Sequence, residues 1–330
     1  PKNHFLIMLL TSHKITIGTD RYSSPANSRM IKLTHSARMD IPVNVCSIIM
    51  SPPKGLKISP DDDIKVELGT GKNTTPVFQG KIASVDWRMD EVRIEASGSS
   101  RNLVHAKYNM YFEQSPAGSM VSDLCSEAGV DTGTVQPGMI MDYYAIGSNR
   151  NAAAHIRQLA IQCGFDTYSN EKDKLVFCMF IPANVHLLQY AVNILSLSMT
   201  VPADGIGQTE VFGESPASLG QGPMGATWFT KKAVAATSSG GSGISIPVFN
   251  PSIRSTSMAN MAASNYQGFF KSRKQGQIMV MGDPAIKLGD AVQVMKMPES
   301  AQNGTYKITG VEHSISRQQG FVTRLNVEAI

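Results

Sequence analysis

A nucleophilic thiol needs a base beside it, and this sequence offers one such pairing, Cys163 with His155 or His186. Cys163 closes the run IRQLAIQC and is followed by Gly164, which places it in the last turn of a predicted helix. A thiolate is stabilised at the positive, N-terminal end of a helix, so this is the wrong end for a reactive cysteine. Cys163 reads as a buried thiol. His186 and His313 read as structural strand histidines. The seven histidines share no close metal-ligand spacing with one another or with a cysteine.

The carboxylates give no better chemistry. Asp61, Asp62 and Asp63 form the densest acidic run, but they lack the alternating ligands and the glycine of a calcium loop. They are expected to open a strand on its solvent side. Glu171 and Asp173, interleaved with Lys172 and Lys174, are expected at a solvated hairpin tip. Asp86 and Glu95 could face each other across a cleft, as glycoside hydrolysis requires, yet nothing in the sequence marks one. Neither G-x-G-x-x-G nor a P-loop occurs. The expectation is therefore no catalytic residue, no cofactor site and no metal site.

Composition points away from chemistry as well. Hydrophobic residues make up 42% of the 330 and charged residues only 17%, so much of the surface is free to face protein rather than water. A net charge of +4 without a basic, aromatic-interleaved cluster gives nucleic-acid binding little support. Cys46, Cys125, Cys163 and Cys178 show no C-x-x-C pair and suit a reduced compartment. The opening run PKNHFLIMLLTSHK has no cleavage signal, so no signal peptide is expected. The longest apolar stretch, Leu175 to Val201, is broken by Pro182, Asn184, His186, Gln189 and Asn193. It is expected to form core strands, not a bilayer span.

The elements that would carry these residues are mainly strands. Ile64, Val66 and Leu68, then Ile82 and Val85, then Val92 and Ile94 alternate as one face of a curled antiparallel sheet. Met120, Val121, Leu124 and Cys125 fall at helical spacing, with Ser119 or Ser122 as the cap and Gly129 as the stop. A second helix carries Ile156, Leu159 and Ala160 between a cap at Asn149 or Asn151 and Gly164. A strand pair around SNEKDK follows. Between Leu175 and Thr230 there is no lysine or arginine, and glycine and proline crowd residues 201–225. MANMAASNYQGFFKSRKQG supports a short helix ending near Gly268, and strands return to the end.

The fold class read from this is mainly β with an α/β insert, two small β-barrels flanking a mixed α/β module. The boundaries are 1–110 for the first barrel, 111–182 for the α/β module and 183–330 for the second barrel. The last contains an irregular Gly/Ser-rich insertion at about 205–270.

The C-terminal residues carry a resemblance. Leu288-Gly289-Asp290 forms a turn before an alternating strand, Asn303-Gly304 a second turn, and Tyr306 to Val311 a strand followed by His313. Gly320 and Phe321 then start the last strand, with Thr323 and Leu325. In this order they resemble the phage late-control D family of contractile-tail baseplate hubs, related to the hub portion of type VI secretion spike proteins. Asn-Gly suits a tight hairpin, and Tyr306, Ile308 and Val311 are expected to point inward. AAAHIRQLAIQCGFDTYSNEKDKLVF and FQGKIASVDW are similar to the family's middle and first portions.

The resemblance implies a non-enzymatic homotrimer that adapts a sixfold tail tube to a threefold central spike or needle in a virion baseplate assembled in the bacterial cytoplasm. It implies the spike and the tube or tube-initiator protein as partners, with the tape measure protein and the baseplate wedge as further candidates. Under it, the Leu175–Thr230 stretch is the candidate for burial between subunits. The alternatives are a hub-associated peptidoglycan hydrolase and a non-phage structural adaptor.

Overall fold

A computed structural model describes residues 11–330 apart from 25–28, 41, 53–54, 72, 204–205, 215–233 and 240–242. About a third of the Gly/Ser-rich insertion, residues 205, 215–233 and 240–242, therefore lies outside the described residues, and the rest holds regular elements instead of irregular loop.

Seven strands open the chain: β1 (Thr11–Ile17), β2 (Asp20–Ser23), β3 (Met30–Arg38), β4 (Val45–Met50), β5 (Asp63–Thr70), β6 (Asn73–Trp87) and β7 (Val92–Ser97). Their alternation sets the core. Ile64, Val66 and Leu68 of β5 face inward with Ile82, Val92 and Ile94, and join Ile15, Leu33, Ile48 and Phe78. Each such side chain, fully buried, contributes about 1.5–3 kcal/mol of transfer free energy. Val85 packs at the margin, because a bulge between Ile82 and Ser84 shifts the parity of β6.

The middle holds α1 (Arg101–His105), β8 (Met110–Pro116), α2 (Ala117–Glu127), β9 (Thr132–Val135), β10 (Ile140–Ile146), α3 (Ala152–Cys163), β11 (Asp166–Ser169) and β12 (Leu175–Cys178). Asn151 caps α3 by accepting from Ala154 N–H, and Gly164 ends it in the left-handed region at φ 68°. Neither serine caps α2. Its first amides are already used: Ala117 N–H donates to Met139 O and Gly118 N–H to Pro137 O, so Ser122 instead bonds back to Gly118 O.

The last third comprises β13 (Val185–Gln189), β14 (Ile194–Thr200), β15 (Ile206–Phe212), β16 (Ala235–Thr237), β17 (Ile244–Phe249), α4 (Thr256–Phe270), β18 (Gln275–Met281), β19 (Ala291–Met295), β20 (Gly304–Ser316) and β21 (Gly320–Ala329). Ser255 caps α4, which runs two residues beyond Gly268. β15, β16 and β17 form a separate small sheet. Val211, Ile253, Met258, Ala259 and Ala262 join Leu124, Ile156 and Leu159 in one apolar cluster, so this segment packs on the helical middle. Asn303 is not part of a two-residue hairpin turn. Its φ is −70°, and its side chain accepts from Met297 N–H to close a longer loop.

The expected pair of barrels does not form. One sheet of thirteen strands runs β14-β18-β21-β20-β3-β4-β7-β6-β5-β1-β2, with β19 also beside β20 and β13 beside β19. The reason is the length of β20. Its first residues, Gly304–Lys307, pair with β19, whereas Gly310–Ser316 pair with β3 on the same side. The edge of β3 that would have closed a first barrel is thereby occupied by the last third of the chain. At the other end β13 and β14 are joined by a short turn with Ala191 at φ 58° but share no ladder. Asn193 bridges them through its side chain, which accepts from Gln189 N–H and donates to Leu187 O, and through its own N–H, which donates to Gln189 O.

Candidate interaction surface

The residues that could have done chemistry are each engaged elsewhere. Cys163 Sγ accepts from Met139 N–H at 3.3 Å, and burial pushes its thiol up. His155 has Nδ1 3.3 Å from the Tyr144 hydroxyl and Nε2 3.3 Å from Gly147 O, and burial pushes it below the usual imidazole range. His186 faces Asp290 at 2.9 Å. No thiol–imidazole dyad results. Cys125 is likewise pushed up, to about 12, by burial.

The acidic groups diverge too. Asp61 pairs with Arg101 at 2.8 Å, Asp62 accepts from Ser59 N–H, and Asp63 lies 3.9 Å from Lys81. Asp86 pairs with Arg88 and Glu95 accepts from the Ser47 hydroxyl. Among the described residues, no three His, Cys, Asp or Glu side chains group as metal ligands.

The β11–β12 hairpin, expected at a solvated tip, instead meets both flanking parts of the chain. Ser99 N–H is shared between the two carboxylate oxygens of Asp173, Asn44 donates to Ser169 O at 2.9 Å, and Glu171 pairs with Lys287 at 2.9 Å. Nearby, Lys307 is 9% exposed, with Nζ 2.5 Å from Asp166, 3.4 Å from Glu328 and 5.1 Å from the centre of the Phe180 ring. These charges cross from the middle of the chain to its last strands. Sequence reading missed them, since no spacing links Asp166 to Lys307.

What remains uncovered at the surface of this part of the chain is apolar. Leu175, Val176 and Phe177 of β12 are buried, as expected of core strands, but the stretch then turns outward. Met179, Ile181, Val185, Leu187, Tyr190, Val192, Leu195 and Val201 are all exposed, with Ile181 at 72% and Leu187 at 58%. These eight are among the twenty large hydrophobic residues exposed in the described structure, and they fall within 23 positions. Alternation explains two of them: Leu188 of β13 points inward, so Val185 and Leu187 must point out. No lysine or arginine stands between Leu175 and Thr230 to break the band, although residues 215–230 lie outside the described structure. Isolated exposed hydrophobics are ordinary, whereas a concentrated, cation-free band is the signature of a surface meant for another protein.

A second surface adjoins it. The outward row Ser198, Gln277 and Asn326 runs in register across β14, β18 and β21. It opens onto a groove of about 1040 Å³ whose opposite wall includes Arg157 of α3 and Asn265 of α4. Among the described residues, no helix is long and apolar enough to cross a membrane.

No protein-family model matches the sequence, and no curated protein matches it either. Solved structures do. The 43 kDa tail protein of prophage MuSo2 from Shewanella oneidensis superposes with a TM-score of 0.70 at 13% identity, covering 97% of this chain and 98% of that one. A tail protein from Neisseria meningitidis MC58 gives 0.69 at 12% identity, over 97% and 96%. The E. coli c3393 protein gives 0.57 at 12% identity, over 96% and 77%. It is described as a type VI secretion component similar to the T4 tail proteins gp27 and gp5. At these identities the likeness is one of fold: the chain shares its fold with these phage-tail and type VI secretion proteins.

Proposed function

We propose, on the basis of a fold shared with prophage tail proteins, that this chain is a structural hub of a contractile tail or related injection particle. In this reading it works as a homotrimer that joins a sixfold tail tube to a threefold central spike, and it performs no catalysis. The exposed band from Met179 to Val201 carries the proposal. A monomer gains nothing from eight uncovered hydrophobic residues in 23 positions, whereas a closed ring would bury them between matching edges. Division into three working parts, 1–110, 111–182 and 183–330, is supported by three apolar clusters, although the first also takes in Ile315 and Phe321, and the middle one takes in Leu103 and residues of β15 and α4.

The spike and the tube or tube-initiator are the proposed partners, and the tail baseplate the proposed location. The test is the mass of the purified protein by light scattering, alone and mixed with a candidate spike. A trimer in either sample is the expected result. A monomer in both overturns the proposal.

A further inference from the structure

His35 and His313 occupy the centre of the seven-residue ladder between β3 and β20, which runs from Gly310↔Arg38 to Ser316↔Lys32. This is the single ladder through which β1–β7 connect with the last third of the chain, among the described strands. The two residues are direct register partners, their rings are stacked with centroids 5.9 Å apart, and both are almost fully buried. His313 has Nδ1 3.0 Å from the Thr323 hydroxyl and bonds to the Ile286 carbonyl. His35 has no hydrogen-bond partner at either nitrogen and packs on Phe78.

We propose that the His35–His313 pair is an acid-sensitive latch: protonation drives apart β3 and β20 and so releases the first seven strands from the end of the chain. Two imidazolium rings at this separation would repel each other in a dry interior, with no carboxylate placed to neutralise them. β4 presents the Cys46 thiol opposite His35, and Glu95 of β7 is turned to Ser47. Phe321 and Thr323 come from β21. Asp283 receives Ala285 N–H. Lys287 and Glu171, which border the same small cavity, already pair with each other. That cavity, about 20 Å³ and so the size of one water, is lined by both rings.

The direction follows from burial. Burial holds His35 down to about 3, assisted by the charge of His313, and burial holds His313 down to about 4. Both bases are thus held neutral by the fold. Their contribution to stability is complete above the unfolded value of 6.5 and is lost as pH falls from there toward 4 and 3. Within that window the opening equilibrium rises up to tenfold per pH unit for each ring. The ladder lies within one chain, so its opening needs no assembly.

The experiment is hydrogen–deuterium exchange of the full chain at pH 7.5 and 4.5, read as protection factors to remove the intrinsic pH effect. Peptides covering β3 and residues 310–316 should lose protection a hundred- to about ten-thousandfold at pH 4.5, two pH units below the unfolded value for two rings, while β5 and β6 keep theirs. His35→Phe should cut that selective loss to the share of His313 alone, at most about a hundredfold. Uniform loss across all strands, no loss at all, or an unchanged profile in His35→Phe would each overturn the proposal. Should His35→Phe fail to fold, NMR titration of the histidine rings in the native protein decides. Rings that titrate in the folded state near 6.5 defeat the latch, and rings that stay neutral until the seam opens support it.

Discussion

His186 Nε2 lies 2.9 Å from Oδ2 of Asp290, and this contact ties the parallel neighbours β13 and β19 together at one end. Asp290 is 3% exposed, and its other oxygen accepts from both the backbone and the side-chain amide of Asn184. Asp290→Ala would strand three donors, so a loss of about 2 kcal/mol in urea denaturation is expected. Asp290→Asn, which keeps one acceptor oxygen, should lose less.

Gly118 sits in the first turn of α2, where helix propensity alone would reward alanine by about 1 kcal/mol. A β-carbon there would meet the Gln136 carbonyl oxygen at 2.2 Å, however, and that atom belongs to backbone. Gly118→Ala is therefore expected to lower stability by about 1–3 kcal/mol, opposite in sign to propensity. A rise in Tm would show that the 136–138 segment yields freely.

Lys307→Met keeps most of the side chain's volume while leaving Asp166 and Glu328 without their shared cation. Because the lysine is nearly buried, the expected loss is about 3 kcal/mol, larger than for a surface pair. Added salt should restore little of it. A loss below ~1 kcal/mol would mean that water reaches the pair.

Leu187→Glu combined with Ile181→Glu probes the apolar band. Both side chains are exposed, so the stability of the isolated chain should change by no more than about 0.5 kcal/mol. Self-association measured by sedimentation should nevertheless be lost. Association that survives both changes would move the interface elsewhere on the molecule.

Local pattern carried far in this chain, and long-range pairing did not. The inward faces of β5 and β7, the Asn151 cap and the Gly164 stop follow from spacing within ten residues or so, and the structure has them where the sequence puts them. Barrel closure failed as an inference because it depends on which edges meet, and no residue pattern in β3 announces that β20 will take its edge. The Ser119 and Ser122 caps failed for a similar reason, since distant carbonyls had already satisfied the amides. Hydrophobicity alone casts the run beyond Leu175 as core strands, and only the family resemblance makes it a candidate for burial between subunits. Hydrophobicity states that a residue should be covered, but not whether its own chain or another does the covering.

The seam at β3 also fixes an order of events during synthesis. The N-terminal strands emerge from the ribosome first, yet the strand that flanks β3 is among the last to appear. With about 280 residues translated between His35 and His313, at about 5–20 residues per second, β3 waits roughly 15–55 s with one edge bare. Throughout that interval the nascent chain displays an open strand edge, the template on which mispairing between neighbouring chains on a polysome begins. Translation speed and chaperone supply should therefore govern the yield of this protein more than the stability of its finished fold.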